Sequence, residues 1–507
     1  MGAIRFIDRF LNTITMYRLV LYGLCTLSVI ALVFGLWGLL PFTLWQMLAT
    51  GVTVFVACFL TQKVLERLLK ATTNYESVFI TAGILFLIVP PSLAQQDLLV
   101  TFGIGVVAIV SKFFLAIRKK HLFNPAAFSL FIFGLFGFGN AIWWVGSAVL
   151  LPFVTIIGLL IVRKIRRFNL FLSFVIVASI TVCLFNIQYQ ISFIDSLQQV
   201  FLSWPIIFFG TVMLTEPLTM PPRRLLQGIY GGIVGLFFGA QFHVGPVFAS
   251  PELALLIGNL FSYIVSSKDK LFLHVSSVTK LTPTVYELVF PKPVSFSFLP
   301  GQYLEWTLKQ DKIDRRGNRR YFTIASSPTE SDLRLGIRYS TPSSTFKETL
   351  VHLPKGGEII ATQLRGDFVL PKNTTQKLVF IAGGIGVTPF RSMVKYLLDR
   401  QEKRDVSLFY SNADAKDMAY KEMFDQAVKQ LGIKVFYVLT DKEKVPQGWQ
   451  GIVGRLDEKI FSREVLDYKE RVWYLSGPEA MVDGYKEVLS RLGVSSTNIR
   501  TDYFPGF

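Results

Sequence analysis

Every apolar run long enough to cross a membrane lies before about residue 267, and the basic residues of that region fall between the runs at every second loop. Runs such as 19–40 and 168–185 approach the roughly 20 apolar residues that a spanning helix needs. Arg5, Arg9 and Arg18 precede the first run, and Lys63, Arg67 and Lys70 follow the second. Lys112, Arg118, Lys119 and Lys120 follow the fourth, and Arg163, Lys164, Arg166 and Arg167 the sixth. Arg223 and Arg224 follow the eighth, and Lys268 and Lys270 the last; the alternate loops have Asp97 and Asp195 as their clearest charges. This positive-inside pattern predicts about ten spans, near 19–40, 43–62, 77–91, 97–116, 124–139, 142–162, 168–186, 198–216, 228–242 and 250–266. It implies a multi-pass protein of the cell membrane, embedded in the lipid bilayer, with both termini and everything after residue 267 in the cytoplasm.

The same placement explains the net charge of +17 without nucleic acid. Residues 1–267 hold 16 Lys/Arg and 7 Asp/Glu, leaving 36 of 52 and 28 of 35 for the remainder, so the excess in the first part reports topology. The first run is too long for a cleavable signal and no small-residue cleavage site follows it. Cys25, Cys58 and Cys183 all fall in apolar runs, which leaves no disulfide framework and no four-thiolate spacing for an iron–sulfur cluster. Membrane haems need paired histidines, and only His121 and His243 lie in the first half, so haem is disfavoured. No other metal site is expected.

Proline spacing hints at internal symmetry. Ile88-Val89-Pro90-Pro91 closes the third run and Asn124-Pro125 opens the fifth; Leu214-Thr215-Glu216-Pro217 closes the eighth and Ser250-Pro251 opens the tenth. Pro91 to Pro125 and Pro217 to Pro251 are both 34 residues apart. The copies are offset by five spans, an odd number, which predicts an inverted repeat with polar helix ends turned toward a shared site. Asn124, Thr215 and Glu216 are the site candidates, with Thr219 and Glu76 nearby. Glu216 reads equally well as an interfacial partner of Arg223 and Arg224.

The stretch 121–128 (HLFNPAAF), the span from Ile80-Thr81-Ala82-Gly83 to Pro90-Pro91, the run Leu214–Thr219 and the segment 224–235 resemble the membrane subunits of the sodium-pumping NADH:quinone reductase and Rnf complexes (the NqrB/RnfD family). The resemblance covers most of residues 60–265. It implies electron transfer through the membrane, with coupling to an ion open. The Ser-Gly-Ala-Thr stretch that carries covalent FMN in that family is missing here, which leaves room for a non-covalent FMN or riboflavin.

After residue 267 the pattern becomes short strands with turn punctuation over 268–371, as in a small antiparallel β-barrel, then alternating strands and helices over 372–507, as in a parallel α/β nucleotide-binding domain. The segment 378–389 (LVFIAGGIGVTP) runs a buried strand into a glycine turn and a helix. Gly383, Gly384 and Gly386 let backbone approach a pyrophosphate, and Thr388-Pro389 opens a helix whose free N–H groups face it. Upstream, Arg320-Tyr321-Phe322-Thr323 ends a strand: Arg320 suits a diphosphate, Phe322 can lie against a flavin ring, and Thr323 can hydrogen-bond its edge. Ser343, Ser344 and Thr345 open a helix with donors for a second phosphate contact.

Pro300-Gly301-Gln302-Tyr303, the Arg320 motif, Ser344-Thr345, Gly366-Asp367-Phe368, the Gly383 turn and the segment 476–481 (SGPEAM) follow the order found in the ferredoxin–NADP⁺ reductase superfamily, which this half resembles across 270–507. The resemblance implies FAD as cofactor and NAD(P)H as substrate. It implies that Ser476, with Gly477 and Pro478, lies near the nicotinamide, and that Phe504 or Phe507 shields the flavin. Phe322 and Ser476 stand where the family usually has tyrosine and cysteine. Asn412 and Asp414 are poor partners for a 2′-phosphate, which favours NADH over NADPH. A membrane-bound NAD(P)H dehydrogenase passing electrons from FAD to a quinone, a second flavin or a protein carrier is therefore expected. A redox-driven transporter of an ion or small molecule, and a membrane-anchored reductase for a soluble carrier, are the alternatives.

Overall fold

Apolar runs with interior polar groups removed favour helices, because a helix bonds its own backbone. The computed structural model describes all residues except 1–6, 8, 9, 12, 13, 70–74, 118, 119, 140, 267–269, 311–313, 315–317, 341 and 505–507. Of the residues noted above, Arg5, Arg9, Lys70, Arg118, Lys119, Lys268 and Phe507 lie outside the described ones. The chain forms two units, Met1–Lys268 and Asp269–Phe507.

The first unit is helical: α1 (Met16–Leu36), α2 (Leu44–Leu69), α3 (Tyr75–Phe86), α4 (Gln95–Phe114), α5 (Pro125–Leu135), α6 (Leu151–Ile165), α7 (Phe168–Ile187), α8 (Phe193–Ser203), α9 (Ile206–Met213), α10 (Arg224–Gly239) and α11 (Pro251–Val265). By length and composition, α1, α2, α4 and α7 can cross a bilayer, and α8–α9, bent by 64° at Pro205, adds a fifth if it is one span. Ten spans are thus more than the described helices provide at that length. Prolines bound two of the shorter helices: α3 has 12 residues before Pro90-Pro91, and α5, opened by Asn124-Pro125, has 11. At 1.5 Å per residue such helices fall well short of a ~30 Å hydrocarbon core.

Packing partners recur. α1 packs on α3, α2 on α4 and α4 on α5; α6 packs on α9, α7 on α10 and α10 on α11. The sets meet through α1–α6 and α5–α11. Gly231, Gly235 and Gly239 form one stripe of α10 where any Cβ would press on backbone of α7, at the carbonyls of Leu170, Phe174 and Ala178. Small residues every four positions let helix backbones touch in this way.

The second unit opens with two antiparallel sheets. Their strands are β1 (Leu271–His274), β2 (Ser277–Lys280), β3 (Val285–Pro291), β4 (Tyr303–Leu308), β5 (Arg319–Thr323), β6 (Asp332–Arg338) and β7 (Glu358–Arg365), with α12 (Thr345–Val351) before β7. The orders are β6-β3-β2 and β1-β7-β4-β5, around a core that includes Phe290, Trp306 and Phe346. The rest is β8 (Leu378–Gly383), α13 (Thr388–Asp399), β9 (Val406–Asn412), α14 (Lys421–Leu431), β10 (Lys434–Leu439), β11 (Ile452–Val453), α15 (Glu458–Glu464), β12 (Val472–Pro478), α16 (Glu479–Arg491) and β13 (Ile499–Phe504). These six strands form one parallel sheet, ordered β11-β10-β9-β8-β12-β13, with separate apolar clusters on its two faces.

Candidate active site

Strand order places β8, β9 and β12 side by side at the centre of the sheet, so their carboxyl ends share one edge. β8 is buried at every position, which a strand covered on both faces requires. It ends at Gly383; Gly384 turns the chain with φ of 54° and α13 begins at Thr388, with Pro389 in its first turn. A Cβ on Gly386 would collide with the Ser476 carbonyl, and one on Gly383 or Gly477 with Met481. These glycines therefore bring two strand ends together as well as opening backbone toward a ligand. A Cβ on Gly384 would sit 3.7 Å from Arg338 Nη1 and 3.8 Å from Asn412 Oδ1, so a cation and an amide flank the turn.

The strand register pairs Ala382 with Ser476, and Ser476 with Asp502. Ser476 is fully buried and its hydroxyl has no hydrogen-bond partner among the described residues. Asp502 keeps part of its surface open, yet its Oδ2 is enclosed and equally unpartnered. Burial pushes this carboxyl up to about 7. Asn412 Nδ2 is another enclosed atom without a hydrogen-bond partner among the described residues. Enclosed polar atoms normally find partners, so a group of orphans at one strand edge marks a place where a polar ligand belongs.

On the barrel side, Thr323 ends β5, is 2% exposed, and its Oγ1 is also orphaned. The turn that follows is fastened to α13: Arg391 Nη1 donates to Ala325 O at 3.1 Å and Ser392 Oγ to Ser326 O at 2.6 Å. Glu330 holds the Arg391 guanidinium from the other side, with Nη2 at 2.9 Å from Oε1. The helix that leaves the glycine turn thus carries the strand that ends in Thr323.

The remaining barrel residues are more engaged than the sequence implies. Arg320 pairs with Asp314 at 3.0 Å and lies 5.2 Å above the Phe346 ring, so a diphosphate must share or displace a carboxylate there. Phe322 is half-buried with its ring 6.0 Å from Phe346, and Tyr321 donates to Glu305 at 2.7 Å. Ser344 caps α12, its hydroxyl accepting from Lys347 N at 3.3 Å, which leaves the O–H itself to donate. Thr345 Oγ1 accepts from Asp314 N at 3.2 Å, and Ser343 is half-buried beside them. Phe504 closes β13, its backbone paired with Pro478. Asp414 accepts from Lys416 N at 2.9 Å, which fixes its carboxylate just beyond β9.

Residues 380–487 match the oxidoreductase NAD-binding domain family. The C-terminal half is an NAD(P)H-dependent reductase module. The chain is 26% identical over 227 residues to a flavohemoprotein of Candida albicans, covering 43% of this chain and 55% of that protein. It is 24% identical over 215 residues to the glycine betaine monooxygenase reductase subunit of Chromohalobacter salexigens, covering 42% and 58%. It is also 24% identical over 270 residues to NADH-cytochrome b5 reductase 1 of Aspergillus oryzae, covering 52% and 88%. The chain thus spans little more than half of the first two relatives.

Three residues of the reductase module escape sequence reasoning: Asp502, Arg338 and Asp314. Asp502 sits inside an aromatic tail whose bulk draws attention away from it. Only the register of β13 against β12 reveals that it faces Ser476. Arg338 ends β6 and reaches the glycine turn from the other domain of the module.

In the helical unit, Asn124 and Glu216 do meet. Asn124 caps α5, its Oδ1 accepting from Ala127 N, while its Nδ2 donates to Glu216 Oε2 at 2.8 Å. Asn259 joins them, accepting from Asn124 N at 2.8 Å and donating to Tyr230 at 3.0 Å. Thr215 does not join the group; its hydroxyl donates to Thr211 O at 2.6 Å. Glu76 lies elsewhere, paired with Arg18 at 2.9 Å.

Proposed function

We propose that the chain is a membrane-embedded NADH dehydrogenase that reduces FAD in the cytoplasm and passes the electrons into its helical unit. The observation that carries the flavin and nicotinamide site is the orphan set of Thr323, Ser476, Asn412 and Asp502, set at the carboxyl edge of the sheet and at the strand fastened to it. These groups fit the polar rim of a flavin and a nicotinamide amide. Bound FAD supplies the acceptor for the hydride of NAD(P)H. The protein's share is placement: the glycine turn and the first turn of α13 take the pyrophosphate, while Arg338 supplies charge. Thr323 and Ser476 fix the two rings from opposite lobes, excluding water as they close on them. Asp414, held beyond β9, opposes a 2′-phosphate and supports NADH over NADPH.

The membrane reading has ten segments in two inverted sets, both termini cytoplasmic, and a non-covalent FMN or riboflavin, or a quinone, as next acceptor. It is supported by the loop charges, by the resemblance to the NqrB/RnfD family and by the recurring packing order of α1–α5 and α6–α11. The Asn124–Glu216 pair at the junction of the two sets, with Asn124 buried and Glu216 half-buried, favours a second reading, in which electron flow drives an ion. One experiment tests the core of the proposal: acid extraction and in-gel fluorescence of the purified chain. FAD with a second extractable flavin, both bleached anaerobically by NADH, is the expected result. A single FAD would remove the membrane flavin, and no flavin reducible by NADH would overturn the function. Sodium-dependent NADH oxidation in liposomes would favour the ion-driven reading.

A further inference from the structure

The chain leaves β9 at Asn412 and passes through residues 413–420 before α14 begins at Lys421. Asp414, which is proposed to oppose a 2′-phosphate, lies on this loop. Within its own domain the loop is short and tightly wound. Ala415–Asp417 make a single helical turn, Asp417 N donates to Asp414 O at 3.2 Å, and Ala419 N donates to the Tyr410 hydroxyl at 3.1 Å.

The barrel holds the same loop from the other side. Residues 281–284 join β2 to β3, and two hydroxyls of this hairpin converge on one carboxylate oxygen. Thr284 Oγ1 donates to Asp417 Oδ1 at 2.9 Å, and Thr282 Oγ1 donates to it at 3.3 Å. Thr282 is buried and its oxygen also accepts from Val285 N at 3.0 Å, so the hairpin that offers the hydroxyls is itself fixed. Thr284 O accepts from Tyr339 N at 2.8 Å, one residue beyond the Arg338 that flanks the glycine turn.

Three residues after Asp417, Tyr420 lies against Gly336 of β6. A Cβ on Gly336 would sit 2.7 Å from Tyr420 Oη and 2.9 Å from Thr388 Cγ2. The Arg391 guanidinium, gripped by Glu330 of the barrel, lies 5.6 Å over the Tyr420 ring. The end of β6 and the hairpin beside it thus brace both the loop after β9 and the glycine turn. A dinucleotide spanning that edge would meet two supports whose separation the barrel sets.

Hydrogen bonds to a carboxylate are directional and about twice as strong as neutral ones. Two of them on one oxygen fix Asp417, and Asp414 shares its turn and its backbone bond. We propose that Asp417 is a positioning residue for the adenosine end of NADH: anchored on the barrel hairpin, it sets Asp414 against the ribose, so the flavin-binding domain takes part in choosing between NADH and NADPH. This rests on the proposed placement of the ribose beyond β9. A loop braced in advance loses little freedom when the nucleotide arrives, so the brace acts on binding and not on the hydride step.

The test is anaerobic stopped-flow reduction of the flavin in the full chain in detergent, with NADH, NADPH and reduced nicotinamide mononucleotide, which lacks the adenosine half. Asp417→Ala should raise the Kd for NADH about tenfold at an unchanged limiting rate. Thr284→Val, made on the barrel side, should raise it about fivefold. Asp417→Asn, whose amide oxygen still accepts from both hydroxyls, should restore most of the loss. NADPH should lose less than NADH, because a loosened Asp414 repels its phosphate less, and reduction by the mononucleotide should be unchanged in every variant. FAD content controls for folding. A parallel loss with NADH and the mononucleotide would make Asp417 a merely structural residue and overturn the proposal, as would an unchanged Kd for NADH in Asp417→Ala. Asp414→Ala separates the two layers. If it shifts the preference toward NADPH while Asp417→Ala does not, the ribose placement stands and the brace falls. If it leaves the preference unchanged, the ribose placement falls and takes the brace with it.

Discussion

In the helical unit the half-buried carboxylate Glu216 and the buried Glu252 each meet a donor from far along the chain, Asn124 at 2.8 Å and Trp143 at 2.7 Å. In the reductase module the buried hydroxyls of Thr323 and Ser476 and the enclosed oxygen of Asp502 meet none among the described residues. Both regions carry the cost of taking polar groups from water. The first recovers it internally, which makes its polar groups part of the scaffold. The second leaves it open, which makes its groups ready for a partner that the polypeptide itself does not provide. Substitutions should therefore act on stability in one unit and on chemistry in the other.

The largest effect is expected where a filled bond is broken. Asn124→Leu leaves the Glu216 carboxylate without its amide and should cost the helical unit about 3 kcal/mol, read as a lowered unfolding midpoint in detergent. NADH oxidation by a soluble acceptor should be unchanged. Equal stability with impaired electron flow would break the contrast and move this pair into the mechanism. Next comes Gly386→Ala, where the new methyl meets the Ser476 carbonyl. Overpacking of about 1–3 kcal/mol at the turn, felt when NADH binds, corresponds to about 5–150-fold in kcat/KM for NADH. FAD content is the control.

Substitution of the orphans should do the reverse of Asn124→Leu. Ser476→Ala removes a hydroxyl that has no protein partner, so the unfolding midpoint should stay put while flavin reduction by NADH slows about tenfold, the value of one hydrogen bond of about 1.4 kcal/mol. Asp502 sharpens the point through pH. Its folded carboxyl is raised from the ordinary 3.8 to about 7 by burial. The folded state therefore holds a proton that the unfolded state has released, and the stabilisation present below about pH 4 is lost as pH rises through 7. Melting temperatures between pH 5 and 8 should fall for wild type and stay flat for Asp502→Asn. A flat wild-type profile would mean that Oδ2 is wet.

Local chemistry was legible where one stretch of chain carries it. The strand, turn and helix of 378–389 are all local, and the structure has them as β8, the Gly384 turn and α13. Asn124 and Glu216 were legible as costly residues, though 92 positions apart, because a polar residue beside a proline break is conspicuous in an apolar run. What escaped depends on register or on distant pairing. Asp502 gains its place from β13 lying beside β12, and Arg320 its carboxylate from Asp314 in a polar loop. Ser344 shows the ambiguity of a serine before a helix, where capping the helix and serving a phosphate look alike in sequence. Ten apolar runs were legible, but hydropathy registers apolar content and not helix length, and four described helices reach spanning length, or five with the bent pair. The prolines that suggested the repeat lie at the ends of its shorter helices.

The smallest expected effect lies at the opposite end of the sheet, where Asp467, Arg471, Lys377 and Asp405 pair with one another and no ligand is anticipated. Asp467 accepts from Arg471 Nε and from Lys377 Nζ, both at 2.6 Å, and Arg471 also grips Asp405 at 2.7 Å. Hydrogen bonding to Arg471 is the main reason that the Asp467 carboxyl is held down to about 2. A shift from 3.8 to 2 corresponds to roughly 2.5 kcal/mol, which solvent screening of this partly exposed group reduces to about 1 kcal/mol. The sign follows from the depressed value: the contribution is present above about pH 4 and disappears as pH falls toward 2. Asp467→Asn should therefore lower the stability of the reductase module by about 1 kcal/mol at pH 7, and the difference from wild type should vanish near pH 2. Hydride transfer should be unaffected, because the amino ends of β8 and β12 lie a full strand length from the ligand edge. Slower flavin reduction in this variant would mean that the sheet transmits strain between its two ends, and the contrast between scaffold and site would then fail inside the reductase module itself.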